Sequence, residues 1–284
     1  MSDALVLSRN ARFQQWQSYL VTRGKRTKAG VFLVQGVRPV TLAVQHEWPL
    51  ESVLYRTGDP LSSWATSTVD RCRAAGVSAV GVAPELMAEL GERVDQPPEV
   101  LLLARSRLLD PGHWTPTGDA PVVVAFDRPT SPGNLGTLIR SSDAFGASGL
   151  LVSGHAADPF DPACVRATTG SLFALPVGQV GGPEQVRAMV DRLRQQGTDM
   201  TIVGTDETGT VAAHEHDFTG GTVLVVGNET RGMSAAWRDA CDVVVSIPIG
   251  GAASSLGAPS AGAVGLYEIT RQRLIARTSA PVGD

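Results

Sequence analysis

The sequence predicts an α/β protein of two domains, the second built on a parallel sheet. Three observations carry this. From residue 121 onward, apolar runs of strand type alternate with segments of helical periodicity. Continuous runs such as Val122-Val-Val-Ala125 suit strands buried on both faces. Ahead of them, Asp110-Pro-Gly-His-Trp-Thr-Pro-Thr-Gly-Asp119 crowds several breakers into one stretch, which reads as a linker over residues 106–120. A chain of 284 residues, 43% hydrophobic, has the material for two modest cores.

Taken in order, residues 5–22 place Leu5, Val6, Phe13, Trp16, Tyr19 and Leu20 at near-helical spacing. Residues 22–28 follow as a polar turn, and Val31-Phe-Leu-Val34 is a short strand. Residues 52–55, 77–82 and 100–103 read as further strands with helices between them, a small α/β domain spanning 1–105. The second domain, 121–284, opens with a strand at 121–126 and a helix at 135–145. A strand at 149–152, a helix at 165–173 and a clearer helix at 185–196 come next. Strands at 200–204, 222–226 and 243–247 and a closing helix at 266–276 complete it.

Composition excludes several classes. A charged fraction of 18% is too low for a disordered chain. No apolar run reaches the roughly 18–20 residues of a membrane span, and the N-terminus lacks the apolar core of a secretory signal. Cys72, Cys164 and Cys241 are dispersed and form no disulfide framework, so a reduced, cytoplasmic location is expected. The net charge is −4, yet residues 1–46 carry Arg9, Arg12, Arg23, Lys25, Arg26, Lys28 and Arg38 against Asp3 alone. A basic N-terminal segment on an acidic body is a footprint for a polyanion.

Three loops follow strands of the second domain, where parallel sheets bind ligands. The first is Asp127-Arg-Pro-Thr-Ser-Pro-Gly-Asn134, with Asn134 read as the cap of the next helix. On that helix Leu135, Leu138, Ile139, Ser142 and Phe145 share a face, and Arg140 points away from it. The second is Gly227-Asn-Glu-Thr-Arg-Gly232. The third, residues 247–263, is nearly all Gly, Ala, Ser and Pro, a composition that lets backbone approach backbone in a packed loop. No phosphate-binding P-loop or strand-following G-x-G-x-x-G is present, which argues against nucleotide hydrolysis and a dinucleotide fold. His214-Glu-His216 lacks a third ligand nearby, so no metal is expected.

In this order the loops resemble the three motifs of the SpoU/TrmH family of RNA ribose 2′-O-methyltransferases. Asn134-Leu-Gly136-Thr-Leu-Ile-Arg140 resembles motif one, Gly227-Asn-Glu229-Thr-Arg-Gly232 motif two, and Ile247-Pro248 with Ser255-Leu256 motif three. Residues 166–176 resemble the segment between motifs one and two, and Thr41, Val44 and the basic turn resemble the N-terminal RNA-binding domain of longer members. The resemblance implies a SPOUT fold with a deep trefoil knot, preceded by an L30e-like domain. It implies S-adenosylmethionine as cofactor and a homodimer with the site at the interface. The substrate implied is RNA, 23S rRNA foremost and tRNA as the alternative. The two-domain layout is most similar to antibiotic-resistance 23S rRNA methyltransferases of actinomycetes.

Carried onto this chain, the catalytic residues implied are Asn134, Arg140, Glu229 and Ser255. Cofactor would be held by Thr205, Val226, Gly227, Asn228, Glu229, Ile247, Ile249, Ser255 and Leu256. RNA would be met by Arg9, Arg23, Lys25, Arg26, Lys28, Arg38 and Arg166. Because a guanidinium is a poor base, Arg140 is expected to bind phosphate and stabilise a developing alkoxide. Motif three departs from the family's Ser-Leu-Asn-Val-Ser, reading Ser255-Leu-Gly257-Ala-Pro259, and Gln35 stands where a glutamate is common. The alternatives are an RNA-binding protein of the same fold with impaired or lost catalysis, and a small-molecule O-methyltransferase.

Overall fold

The structure, a computed structural model, describes residues 3–92 and 95–279. The chain divides into two compact units, residues 1–107 with 158–174, and residues 108–157 with 175–284. Each is built on its own sheet.

The first unit runs β1 (Ala4–Val6), α1 (Ala11–Val21), α2 (Arg23–Ala29), β2 (Val31–Val34), α3 (Val37–Gln45), β3 (Leu50–Arg56), α4 (Ser63–Ala74), β4 (Ser78–Val82), α5 (Pro84–Gly91) and β5 (Val100–Arg105). The strand order is β1-β4-β3-β5-β2, with β5 antiparallel to both neighbours. Phe13, Trp16 and Tyr19 of α1 bury against Leu33, Leu54 and Leu101 of the sheet. The helix expected over 5–22 is therefore two elements. Val6 pairs in parallel register with Val82, and Asn10 accepts from Phe13 N at 3.0 Å to start α1 afresh. The expected polar turn is the helix α2, closed by Gly30 in the left-handed conformation at φ 64°.

The second unit continues with β6 (Val122–Asp127), α6 (Pro132–Ala144) and β7 (Gly149–Ser153). Helix α7 (Pro162–Ala167) and a 3₁₀ turn (Ser171–Phe173) belong to the first unit. Then come β8 (Val177–Val180), α8 (Pro183–Gln195), β9 (Met200–Thr205), β10 (Val211–Ala212), β11 (Gly221–Val226), α9 (Ala235–Ala240), β12 (Val243–Ser246) and α10 (Ala258–Ser279). The seven-stranded sheet is parallel throughout, in the order β10-β12-β9-β11-β6-β7-β8. One face, with Val123, Ala125, Val223 and Val225, packs on Val186, Met189 and Trp237 from α8 and α9. Helices α6 and α10 pack together, and α10 also lies against β11. The expected strands of this sheet are present, while β8 and the two-residue β10 had no sequence forecast.

Two expectations need correction. Residues 106–120 are partly packed: Leu109 N donates to Val177 O at 2.9 Å, and Trp114 lies so close to Gly149 that a Cβ there would stand 2.8 Å away. Breakers make the stretch irregular, and its apolar side chains still find a core. The second domain is also discontinuous, because 158–174 packs into the first unit. Phe160 and Phe173 lie against Phe32, with centroids 4.7 and 6.3 Å apart. Arg26, 2% exposed, donates to Asp158 at 2.8 Å and Asp161 at 3.1 Å.

The closing helix begins at Ala258, well before the expected 266, and residues 250–257 are exposed. An added Cβ at Gly250, Gly251 or Gly257 would meet nothing within 4 Å, so the packing expected of this small-residue stretch does not extend over 250–257. The close approach lies at the C-terminal end of the stretch, where it has entered α10. A Cβ at Gly262 would stand 2.6 Å from Leu138 Cδ1, and one at Gly265 3.1 Å from Leu224 Cδ2. Small residues there let the helix sit down on α6 and on the sheet.

Arg26→Ala would strand two acidic groups in a largely buried setting. Chemical denaturation should show a loss of about 3–5 kcal/mol, whereas exposed Lys28→Ala should stay within about 0.5 kcal/mol. Burial raises the Asp242 pKa, but bonds from Ile202 N, Arg187 and Arg194 outweigh it and hold the carboxyl below its usual value. The folded form is thus favoured above the unfolded-state pKa of about 3.9, and that contribution fades as pH falls through the depressed value. Asp242→Asn should flatten the acid limb of a Tm-against-pH curve.

Candidate active site

Strands β6 and β11 are neighbours, and their connections leave in opposite directions, β6 toward β7 and β11 toward β12 by way of α9. Between their carboxyl ends lies the crevice that such a reversal creates. The loop after β6 and the loop after β11 meet there.

Glu229 joins them. Its carboxylate accepts from Thr130 N at 3.1 Å, Thr130 Oγ1 at 3.2 Å, Ser131 N at 3.3 Å and Asn134 Nδ2 at 3.2 Å. Asn228 Nδ2 adds a bond at 3.3 Å from its own loop. Burial raises the Glu229 pKa, yet its own backbone N–H and these donors more than offset that and hold it below the ordinary value. A carboxylate so occupied is a weak base, and its chemistry here is to hold two loops together.

Asn228 fixes the second loop from within. Its Oδ1 accepts from Thr230 N, Thr230 Oγ1 and Arg231 N, and its Nδ2 donates to Arg128 O at 2.6 Å. The loop folds back so tightly that a Cβ on Gly227 would stand 2.4 Å from Met233 N. Only glycine fits that contact. Asp127, at the end of β6 and 1% exposed, accepts from Ser234 N at 2.9 Å and from Arg128 at 2.8 Å. Ser153 donates to Asp127 and accepts from Trp237 Nε1, which extends the network into the core. Neither Asp127 nor Ser131 was singled out from sequence. An acid closing a buried strand was the available signal for the first.

Asn134 corrects the sequence reading. The cap is Ser131, whose Oγ accepts from Asn134 N at 3.3 Å, and the helix starts at Pro132. Proline suits the first turn because its nitrogen needs no acceptor. Freed from capping, the Asn134 side chain turns to Glu229. Arg140 is on the exposed face of α6, with no hydrogen bond or ion pair among the described residues. Thus the fold brings Asn134 and Glu229 together. Arg140 bonds to neither, and Ser255 is exposed on loop 247–257 with no bond to them.

Around the same strand ends, Thr205 Oγ1 donates to Val225 O at 2.9 Å, and Val226, Gly227 and Asn228 lead out of β11. Asp206 anchors the next turn through Thr208 and through Arg238 at 2.7 Å. Loop 247–257 offers bare backbone at Gly250 and Gly251 and exposed apolar side chains at Ile249 and Leu256. Side-chain-free peptide beside unpartnered hydrocarbon suits a flat heteroaromatic ring with an amino-acid tail, so the residues present fit S-adenosylmethionine. Ile247 is half-buried at the start of that loop. Gly257 has φ +75°, the left-handed region that glycine and asparagine tolerate best. The departure from the family asparagine therefore keeps the turn and loses only the side chain.

In the first unit, Lys25, Lys28 and Arg38 are exposed, as is Arg23. Arg9 is exposed and paired with Glu89 at 2.7 Å. Arg26 is withdrawn from an RNA-facing role, since its guanidinium is buried on Asp158 and Asp161. Arg166 is half-spent, on Glu92 and on Gln35 Oε1 at 2.8 Å. Gln35 also donates to Leu90 O at 2.6 Å, a bond that a carboxylate in its place would be unable to make. Among the described residues no group of three potential ligands could hold a metal ion, and no helix is long and apolar enough to cross a membrane.

Comparison with known proteins is consistent with this geometry. Residues 121–267 match the model of the SpoU rRNA Methylase family, and residues 10–102 match that of the SpoU L30e-like domain. A 23S rRNA (uridine(2479)-2′-O)-methyltransferase of Streptomyces viridochromogenes is 49% identical over 274 residues, covering 96% of this chain and 94% of its own. The crystal structure of the SpoU methyltransferase AviRb from that organism, in complex with AdoMet, superposes with a TM-score of 0.84 at 50% identity, over 94% of this chain and 99% of that one. An AdoMet-bound rRNA methyltransferase from Sinorhizobium meliloti gives 0.82 at 27% identity, over 94% and 97%.

Gly257→Asn should leave the unfolding free energy within about 0.5 kcal/mol of the original, because both residues accept the left-handed turn. Gly257→Val should cost about 1–3 kcal/mol, and thermal unfolding of the two variants compares them directly.

Proposed function

The chain belongs to the SpoU rRNA methylase family, and from that premise we propose that it methylates a ribose 2′-hydroxyl of 23S rRNA with S-adenosylmethionine as donor. The observation that carries the reading is the Glu229 clasp, which joins the loop bearing Asn134 to the Gly227–Gly232 loop at the carboxyl ends of β6 and β11. The bound cofactor would supply an electrophilic methyl group on a sulfonium. The residues assigned to hold it are Thr205, Val226, Gly227, Asn228, Ile247, Ile249, Ser255 and Leu256.

The protein's task is then to orient the ribose and ease loss of the hydroxyl proton. Glu229 fixes the crevice, and Asn134, with an amide held by that carboxylate, orients the ribose or the incoming arginine. Arg140 binds the adjacent phosphate and stabilises the developing alkoxide. Ser255 hydrogen-bonds near the ribose or cofactor. Arg9, Arg23, Lys25, Lys28 and Arg38 provide the exposed positive charge for RNA.

Arg140 faces outward, and this supports a homodimer in which each site takes its arginine from the second copy. Along α10, Val264, Tyr267 and Leu274 are exposed on one side, and Tyr267 packs edge-on to Phe145 at the end of α6. Such an apolar stripe on a helix packed against α6 suits a helix-on-helix interface. The knotted path is supported by residues 247–257, which leave β12 near the sheet edge and lead into α10, packed on α6 and β11. A cytoplasmic location follows from an rRNA substrate, and resistance to a ribosome-directed antibiotic is the biological role proposed. The reading without catalysis rests on Gly257 alone, and the retained turn weakens it.

The test is complementation. Arg140→Ala and Asn134→Ala should each lower methyl transfer to 23S rRNA by a hundredfold or more, on the order expected for loss of a transition-state contact. Co-expressed from two tagged genes, they should recover about a quarter of full activity, because half of the dimers would hold one intact site. No recovery would place both residues in the same copy's site.

A further inference from the structure

The first unit contains a cleft of about 750 Å³ that the methyl-transfer site does not use. It is bounded by the start of α3, the end of β3, the start of α4 and residues 95–100. This volume falls in the range of small-molecule sites and admits one nucleotide. Its walls are stiff. Pro98 sits so close over Gly91 that a Cβ there would stand 2.5 Å from the proline ring. Trp64 lines one wall, half-buried, with its indole N–H donating to Thr41 Oγ1 at 3.0 Å, which sets the plane of the ring.

The charges in the cleft are unbalanced. Arg38 is exposed and has no ion-pair partner among the described residues, and neither has Arg56. The Arg56 Nε is buried without a hydrogen bond, and its Nη1 reaches only Pro97 O, at 3.4 Å. The nearby Glu99 carboxylate is taken up by Ser62 N and Ser62 Oγ, both at 2.7 Å, although the Arg56 charge is felt there through space. Exposed Asp95 and Gln96 add an acceptor and a donor suited to the edge of a base. Two guanidinium groups with no ion pair among the described residues, a half-open indole face and proline walls form one constellation.

We propose that this cleft receives a single unpaired nucleotide of the RNA, with its phosphate on Arg38 and Arg56 and its base against the Trp64 ring. A base locked in a duplex would have no face free for the indole, so the cleft selects a nucleotide from a loop or bulge. Stacking accepts any base, and specificity would come from the rim. A small turn of the Arg56 guanidinium toward the phosphate would pair the donor now left alone. The proposal rests on RNA being the substrate.

The experiment titrates the four nucleoside 5′-monophosphates, their nucleosides and inorganic phosphate into the full chain by calorimetry. The proteins are the original, Arg38→Ala, Arg56→Gln and Trp64→Leu, each checked by thermal unfolding. S-adenosylmethionine is titrated in parallel, and the KM for 23S rRNA is measured in each protein. The expected result is that monophosphates bind better than nucleosides or phosphate. Arg56→Gln and Trp64→Leu should each weaken binding about tenfold and raise the KM for RNA by a similar factor, without altering cofactor affinity. Equal binding by variants and original, or no preference for monophosphates over phosphate, overturns the proposal. Monophosphate binding that weakens while the KM for RNA stays unchanged assigns the cleft to a free nucleotide and equally overturns it. If Arg56→Gln fails to fold, the exposed Arg38→Ala decides. If the protein methylates no RNA, gel-shift affinity for the same RNA replaces KM, so failure of the enzymatic reading leaves this test standing.

Discussion

One carboxylate organises the catalytic unit. Glu229 sits where the direction of the sheet's connections reverses, and it collects donors from the loops on both sides of that boundary. Without this acceptor, Thr130 N and Ser131 N of the first loop would lose their partner on the second. The crevice would then have no defined width. Burial alone would push such an acid toward its neutral form, but the surrounding dipoles keep it ionised. The Asn134 amide is positioned by this carboxylate, while Asn228 sets the Gly227 turn beside it.

Much of the second unit was legible in the sequence because a parallel sheet covered on both faces leaves an unmistakable trace. Residues 122–126 of β6 and 223–226 of β11 are continuous apolar runs, since neither side of either strand sees water. The same burial made short edge strands hard to see. Val177–Val180 contains glycine and glutamine, and Val211–Ala212 is only two residues long. In the first unit, periodicity ran through Leu5 and Val6 into α1, because three strand residues have too few positions to betray a period of two. Gly24 and a dense run of charges concealed α2, which owes its form to a left-handed glycine at its end and to the burial of Arg26.

The candidate site was legible in its motifs but not in its wiring. Asn134 and Glu229 were visible as residue types at strand ends, yet the cap proved to be Ser131, since proline at the first helical position moved the start upstream. Charge was the least transparent property. Arg9, Arg26 and Lys28 look alike in a string of letters, but the first is paired at the surface, the second is buried on two acids 132 and 135 residues away, and the third is exposed. Local sequence carries no information about partners that distant. The departure at Gly257 is likewise opaque in sequence, because its left-handed backbone angle is a property of the folded turn.

The placement of residues 158–174 has an evolutionary consequence. The chain passes between its two units at 107–108, at 157–158 and again at 174–175. A domain joined by one linker can be exchanged by a single crossover in the gene. This one is incomplete as a contiguous block, because Phe32 and Arg26 are covered by side chains encoded within the catalytic half. A first unit exchanged by recombination would have to bring that inserted segment with it, so point substitution on the retained scaffold is the simpler route by which this unit can change.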